Sequence, residues 1–402
     1  MRWRNRNDPK RRAPVCNATA IKPLFRLLGL GVIWLALGWA SLHARAQTIY
    51  VGLEGDYLGS RQTISITPPN TDTKSDQTTT GHLLRARLVG ELDYRSWSLR
   101  TWYDHEMVRL RPAAYQSMYT NSQALYAWEN DQVHVAGIVS RANLTYHRGM
   151  ARLRLGRQRV SWGSGFLWSP TDIIHPVDPA RLESDEKPAR DLVALNVFPT
   201  TLSSVDVVWV PSQQGEKGRQ LVRLSTNIGL TDLAWVGGNL GGTYVVGGHL
   251  SSYVGSSGLR VDAITTLSRN PSTRVVINVD RQLSATSYVL IESFFRLDGT
   301  RKSTEAQPQM LPVDQFACAS WCLAAALSQQ LHPLATASVT VITDEITRST
   351  LLLPTVTLSV ANGLGATVGA YFGKGTAESL IPADTHVWFL RLSGALGLST
   401  SP

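Results

Sequence analysis

Beyond residue 46 the sequence holds no uninterrupted apolar run near the ~20 residues that a transmembrane helix requires, so a bundle of membrane helices is not expected. Cysteine is scarce, with three in 402 residues, and Cys16 lies in the first 46. The remaining Cys318 and Cys322 form an isolated C-x-x-x-C without the second ligand pair of a zinc site. In an exported chain their expected use is a disulfide within one loop. Catalytic signatures are missing too. There is no nucleophile elbow and no His-Glu-x-x-His, so a serine and a histidine such as Ser161 and His147 do not by themselves indicate an enzyme. Gly163-Ser164-Gly165 opens like a dinucleotide fingerprint, yet the third glycine position is Trp168 and no helical period follows, which excludes a nucleotide site.

A net charge is also lacking once the leader is set apart. Nine of the 39 Lys and Arg and one of the 30 Asp and Glu fall in residues 1–46, leaving 30 basic and 29 acidic side chains. The balance of +1 gives no reason to expect nucleic acid as a partner. The leader itself carries Arg2, Arg4, Arg6, Lys10, Arg11, Arg12, Lys22 and Arg26, then an uncharged apolar run from Leu27 to Leu42 and Ala44-Arg45-Ala46. Those are the basic region, apolar region and cleavage box of a secretory signal peptide, with the mature chain expected from Gln47. An uncleaved anchor helix is the alternative, since sixteen apolar residues lie near the lower limit for spanning a bilayer.

What is present is alternation. From Leu84 to Tyr94 the even positions are Leu, Ala, Leu, Gly, Leu and Tyr, and the odd ones include Arg85, Arg87, Glu91 and Asp93. This is a strand with one apolar and one charged face. The same split recurs at Leu99 and Tyr103 against Arg100 and Asp104, at Leu144 against Arg141 and Asn143, and at Leu153 and Leu155 against Arg152 and Arg154. It continues at Leu224 against Arg223, at Ile277 and Val279 against Arg274 and Asp280, and at Leu390 against Arg391. A soluble sandwich alternates as well. Strands of about ten residues with aromatics near their ends fit transmembrane strands better.

Eighteen candidate strands fit after Gln47, and their connections alternate between short and long. Short ones fall near 95–96, 148–149, 199–200, 229–231, 255–257, 284–285, 332–333 and 362–363. Longer ones fall near 59–80, 109–133, 161–190, 211–219, 237–242, 268–273, 297–319, 343–349 and 373–384. Short periplasmic turns, longer external loops and an even strand count make up the pattern of an outer-membrane barrel, and closure removes the edges such strands would expose. The expected fold is all-β: a transmembrane antiparallel up-and-down β-barrel of about 18 strands (16–18), one domain over 47–402.

The third external connection, 161–190, is the longest. Gly163 and Gly165 permit conformations that a strand does not use, and Pro170, Pro176, Pro179 and Pro188 interrupt pairing. Trp162, Phe166, Leu167, Trp168, Ile173 and Ile174 are residues that seek burial, which argues against a disordered tract. The two tryptophans belong either in the lumen or in the upper aromatic belt. Asp172, His175 and Asp178 offer metal donors, but three ligand types in a proline-rich loop are a thin basis, and no metal or cofactor is expected. Asp172, Asp178 and Asp191 paired with Arg157, Arg159 or Arg190 as loop staples is the preferred reading.

The segment Gly156-Arg157-Gln158-Arg159-Val160-Ser161-Trp162-Gly163-x-Gly165, with Trp168-x-Pro170-Thr171-Asp172, Pro176-x-Asp178-Pro179 and Lys187-Pro188-x-x-Asp191, resembles the centre of a family of Gram-negative outer-membrane β-barrel proteins of porin type. The likeness covers about 35 residues. Ser169 stands where the family pattern has Asn, Ala189 where it has Gly, and the last residues lack the C-terminal aromatic usually read by the barrel-assembly machinery. The resemblance implies a channel in the outer membrane, with outer-membrane lipid and the assembly machinery as partners and no cofactor; a homo-oligomer is left open.

Third loops of porin-type barrels fold inward, so Trp162, Gly163, Gly165, Trp168, Pro170, Asp172, Asp178, Glu183, Asp185 and Asp191 are the expected constriction residues. Arg85, Arg87, Arg100, Arg141, Arg152, Arg154 and Arg223 are the expected lumenal wall, joined on that face by Arg260, Arg274, Arg296 and Arg391, against fewer acids: Glu91, Asp93, Asp104, Asp206, Asp262, Asp280 and Glu292. Charged rings set selectivity, so a passive channel for small hydrophilic, anionic solutes is expected. The loop carboxylates Asp172, Asp178, Glu183 and Asp185 are expected to face part of the arginine wall. The alternative is a structural or export-associated barrel with an occluded lumen.

Overall fold

The structure is a computed structural model, described over residues 48–66, 75–111, 124–130, 132–175, 189–212, 217–268, 271–297, 320–345, 348–375 and 384–400. The expected signal peptide and its cleavage site, and Asp178, Glu183, Asp185 and Cys318, lie outside these residues.

Nineteen strands are described, in the order β1 (Thr48–Ile66), β2 (Ser75–Tyr94), β3 (Trp97–Arg111), β4 (Ala124–Glu129), β5 (Val133–Arg148), β6 (Ala151–Gln158), β7 (Arg190–Thr200), β8 (Ser203–Val210), β9 (Arg219–Ile228), β10 (Thr231–Leu240), β11 (Thr243–Val254), β12 (Ser257–Leu267), β13 (Thr273–Gln282), β14 (Ser287–Arg296), β15 (Trp321–His332), β16 (Ala335–Asp344), β17 (Ser349–Ala361), β18 (Leu364–Lys374) and β19 (Thr385–Thr400). All neighbours are antiparallel, and β1 pairs with both β2 and β19, from Ile49 opposite Thr400 to Ile64 opposite Thr385. The circuit therefore closes, with β1 and β19 partners and not edges.

Eighteen strands complete the circuit, because β3 pairs directly with β5, from Trp97 opposite Tyr146 to Arg109 opposite Val133. The extra element is β4. It lies in the connection read as loop over 109–133 and pairs with β5 from Ala124 opposite Ile138 to Glu129 opposite His134. One edge of β5 is held by β3, so β4 shares the other edge with β6, which pairs with β5 only from Ala142 to Arg148. β6 has eight residues; where it stops, β4 takes its place.

The expected external loop at 237–242 is a second correction. Only Gly241 and Gly242 separate β10 from β11, both with positive φ (67° and 106°), so two glycines make a hairpin turn there. The third loop spans 159–189, which places Asp191 in β7, opposite Arg157 of β6.

Side chains alternate as the sequence pattern requires. On β2, Leu84 and Leu88 are exposed, whereas Arg85 and Arg87 are each 2% exposed. The exposed face continues around the ring through Leu99, Leu144, Leu155, Val207, Val222, Ile277, Ile291, Leu323, Val368 and Leu390. A band of apolar residues facing outward is what the hydrocarbon core of a bilayer selects. Trp97 and Tyr146 pack 4.5 Å apart at the short-turn end of β3 and β5, where an aromatic girdle belongs.

The inner face carries a core of its own. Leu192, Ala194, Val208, Leu221, Val236, Val245, Ile264, Val276, Phe294, Ala324, Ile342, Leu351 and Tyr371, contributed by β7 to β18, join Val160, Trp162, Trp168, Ile173 and Ile174 of the third loop in one buried cluster. The inside of this barrel is thus packed along more than half of its circumference.

Candidate functional site

The third loop leaves β6 at Gln158 and turns into the lumen. Gly163 has φ 95°, and a Cβ there would lie 1.8 Å from the Ser169 hydroxyl and 2.6 Å from Asp262 Oδ2. A Cβ at Gly165 would lie 1.8 Å from the carbonyl oxygen of Trp168. No other residue fits this fold-back. Trp162 is 5% exposed and Trp168 1%, the latter with its ring centroid 6.0 Å from that of Phe294 on β14. Both tryptophans sit inside, among the lumenal core, and not in the outer aromatic belt.

Two wall carboxylates clasp the loop. Glu292 on β14 accepts from the amides of Phe166 (2.8 Å), Leu167 (3.0 Å) and Trp168 (2.7 Å), and from the Asn278 side chain (3.1 Å). Asp262 on β12 accepts from the amides of Ser164 (3.4 Å) and Thr171 (3.1 Å) and from the hydroxyls of Ser169 (2.7 Å) and Thr171 (3.0 Å). Successive backbone amides converging on one carboxylate make strong, charge-assisted hydrogen bonds in a site closed to water. Each carboxylate also needs those donors, because a buried charge without partners is costly.

The loop's own carboxylate has another task. Asp172 is 1% exposed; it accepts from the Ser161 hydroxyl at 2.9 Å and the His175 amide at 3.2 Å, which ties the two ends of the described segment together. His175 Nδ1 lies 2.7 Å from the Val160 carbonyl, and Arg219 on β9 donates to the Ile173 carbonyl at 3.0 Å. Pro170 is buried beside them. Besides this loop carboxylate, acids of the wall reach the amides of the loop. Of the expected staples, Arg157 and Asp191 do pair, through two bonds of 2.9 Å, but as cross-strand neighbours of β6 and β7. Ser161 and His147 are apart, the first bonded to Asp172 and the second on β5 beside a short turn.

The arginines fall into two groups. In the taller part of the wall, Arg87 is bidentate to Asp104 (2.6 and 2.8 Å) and within 3.5 Å of Glu54, and Arg85 bonds Glu106 at 2.6 Å. These groups are nearly inaccessible apart from Glu54, and they neutralise one another. Nearer the short turns, Arg100 is 56% exposed and only 3.5 Å from Glu91, Arg141 stacks on Trp102 at 3.7 Å, and Arg152 lies over Phe198 at 5.2 Å. Arg154 Nε is buried without a hydrogen-bond partner among the described residues, and so is Trp102 Nε1. Arg223, the seventh expected residue, pairs with Asp206 at 3.1 Å. Arg100, Arg141, Arg154 and Arg159 line one cavity of 120 Å³ with Glu91, Trp102 and Gln158, beside the point where the loop leaves the wall.

Cys322 is buried in the lumenal core on β15 and is disulfide-bonded; Cys318 lies outside the described residues. Among the described residues no group of three or more His, Cys, Asp or Glu is arranged to hold a metal. Asp262 and Glu292 were visible in the sequence as inward-facing acids, but their role as clasps was not. Two positions beyond each on the same face stands a residue of the lumenal core, Ile264 and Phe294.

No family model matches the chain, and no curated protein does. Solved structures do. OccAB4 of Acinetobacter baumannii aligns over 87% of this chain and 98% of its own, with TM-score 0.57 and 7% identity. OccK5 (OpdH) of Pseudomonas aeruginosa aligns over 87% and 98%, with TM-score 0.57 and 9% identity. OpdK of Pseudomonas aeruginosa, in a structure with vanillate, aligns over 87% and 99%, with TM-score 0.55 and 10% identity. At such identities the likeness is one of fold: this chain shares the closed eighteen-strand barrel of these proteins.

Proposed function

We propose that this chain is an outer-membrane channel for passive passage of small hydrophilic solutes, with a preference for anions, narrowed by the inward third loop. The observation that carries the reading is the cavity beside the loop, where Arg100, Arg141, Arg154 and Arg159 converge and Glu91 is the one carboxylate of the lining among the described residues. Rings of one charge at a narrow point set selectivity, and clustered guanidiniums suit the receipt of a passing carboxylate or phosphate. The fold shared with OccAB4, OccK5 and OpdK supports the channel itself, and the vanillate named with OpdK is an anion. The apolar outer band supports residence in the outer membrane, with its lipid as a partner and delivery by the barrel-assembly machinery.

Single-channel recording in planar bilayers tests this. A reversal potential toward that of the anion in a salt gradient is the expected result, and cation selectivity would refute the anion preference. The extent of the lumenal core favours a second reading, a structural or export-associated barrel whose lumen is occluded. Absence of conductance from folded, heat-stable protein would select it.

A further inference from the structure

A second compartment lies against Gly163 and Ser164 of the loop. A cavity of 330 Å³ opens there at β9 to β12, at the lower end of the size range for small-molecule sites. Its polar lining includes Ser164 from the loop and Arg223, Asp232, His249, Ser251 and Arg260 from the wall.

Its charges are already matched. Arg223 is held by Asp206 at 3.1 Å, and Arg260 by Asp280 and by Asn278 at 3.1 Å. Asp232 adds a negative charge, bonded to Asn227 at 2.8 Å. An anion there would compete with Asp206 and Asp280 and be repelled by Asp232. The hydrogen-bonding capacity, in contrast, is not used up. His249 engages Thr171 through Nδ1 at 3.4 Å, which leaves Nε2, and Ser251 of β11 lines the cavity beside it. Serine hydroxyls, an imidazole and a carboxylate offer donors and acceptors together, as a ligand hydroxyl does.

We propose that this cavity binds a neutral polyhydroxylated solute of monosaccharide size, separately from the arginine-lined cavity. The proposal rests on the channel reading only for how the solute reaches the lumen; binding itself needs no conductance.

The test is ligand-observed NMR on the purified full-length barrel in detergent, with D-glucose as the probe and benzoate as the anionic comparator. Ser251→Trp fills the cavity from the wall and is expected to weaken glucose binding at least about tenfold, a loss of ~1.4 kcal/mol, with benzoate unaffected. Arg154→Gln is expected to do the reverse. Should Ser251→Trp lose its heat-stable gel mobility, Ser251→Ala, which removes only a hydroxyl of the lining, is expected to weaken glucose binding about threefold. Absence of glucose binding to folded wild-type protein overturns the proposal. So does unchanged glucose affinity in the folded variants, or displacement of glucose by benzoate. Glucose binding without single-channel current supports this site while refuting the channel; current without glucose binding does the opposite.

Discussion

The two sides of the lumen use opposite chemistry. From β7 to β18 the inner face carries a belt of apolar residues, packed against the loop, with Asp262 and Glu292 as its polar anchors. From β1 to β6 it carries charges: paired and inaccessible where the wall is tall, open near the short turns. The contrast shows that an inward position does not by itself make a residue pore-lining. What it is paired with or packed against decides. Arg87 and Arg154 both face inward, yet Arg87 is locked to Asp104 and Arg154 Nε has no partner among the described residues.

Four changes would break or sharpen that contrast. Deleting Ser164 to Glu186 removes the cover from the apolar wall and is expected to raise single-channel conductance severalfold in a barrel that keeps its heat-stable gel mobility. Unchanged conductance would place the constriction elsewhere. Next in size, Arg87→Ala leaves Asp104 buried without its bidentate partner, at a cost of about 3–5 kcal/mol. Denaturant titration should show that loss, and the reversal potential of the remaining folded channel should not move; a large shift in selectivity would mean Arg87 is reached by ions after all. Glu292→Ala strands three loop amides at about 1–3 kcal/mol each, and noisier, larger currents are expected as the loop detaches. Glu292→Gln keeps an acceptor oxygen and should restore part of the wild-type behaviour. Arg152→Glu with Arg154→Glu should turn selectivity toward cations, and an unaltered reversal potential would remove these two arginines from the ion path.

Much of this was legible in the sequence. Period-two alternation gave the strand faces on β2, β5, β6 and β13, and Gly and Pro marked the loop, read at 161–190 and found at 159–189. The connections at 109–133 and 237–242 misread because loop length has no local code: a strand in one and a two-glycine turn in the other depend on what the neighbouring strands leave to be paired. The clasp was hidden for a related reason. Asp262 and Glu292 look like any lumenal acid until the amides of residues 164–171 are brought to them from about ninety to 125 positions away. The charge pairing of Arg85 and Arg87 was available from alternation alone, since Glu106 and Asp104 stand opposite them in the β2–β3 register.

The position of β4 bears on assembly. Hairpins added one after another in chain order would build β3, then β4, then β5, but here β3 and β5 are neighbours and β4 returns to the far edge of β5 above β6. β4 therefore covers the peptide groups of residues 134–138 that β6 leaves unpaired when the chain turns away at Gln158 into the third loop, so the inward loop and the returning strand are two consequences of one short β6.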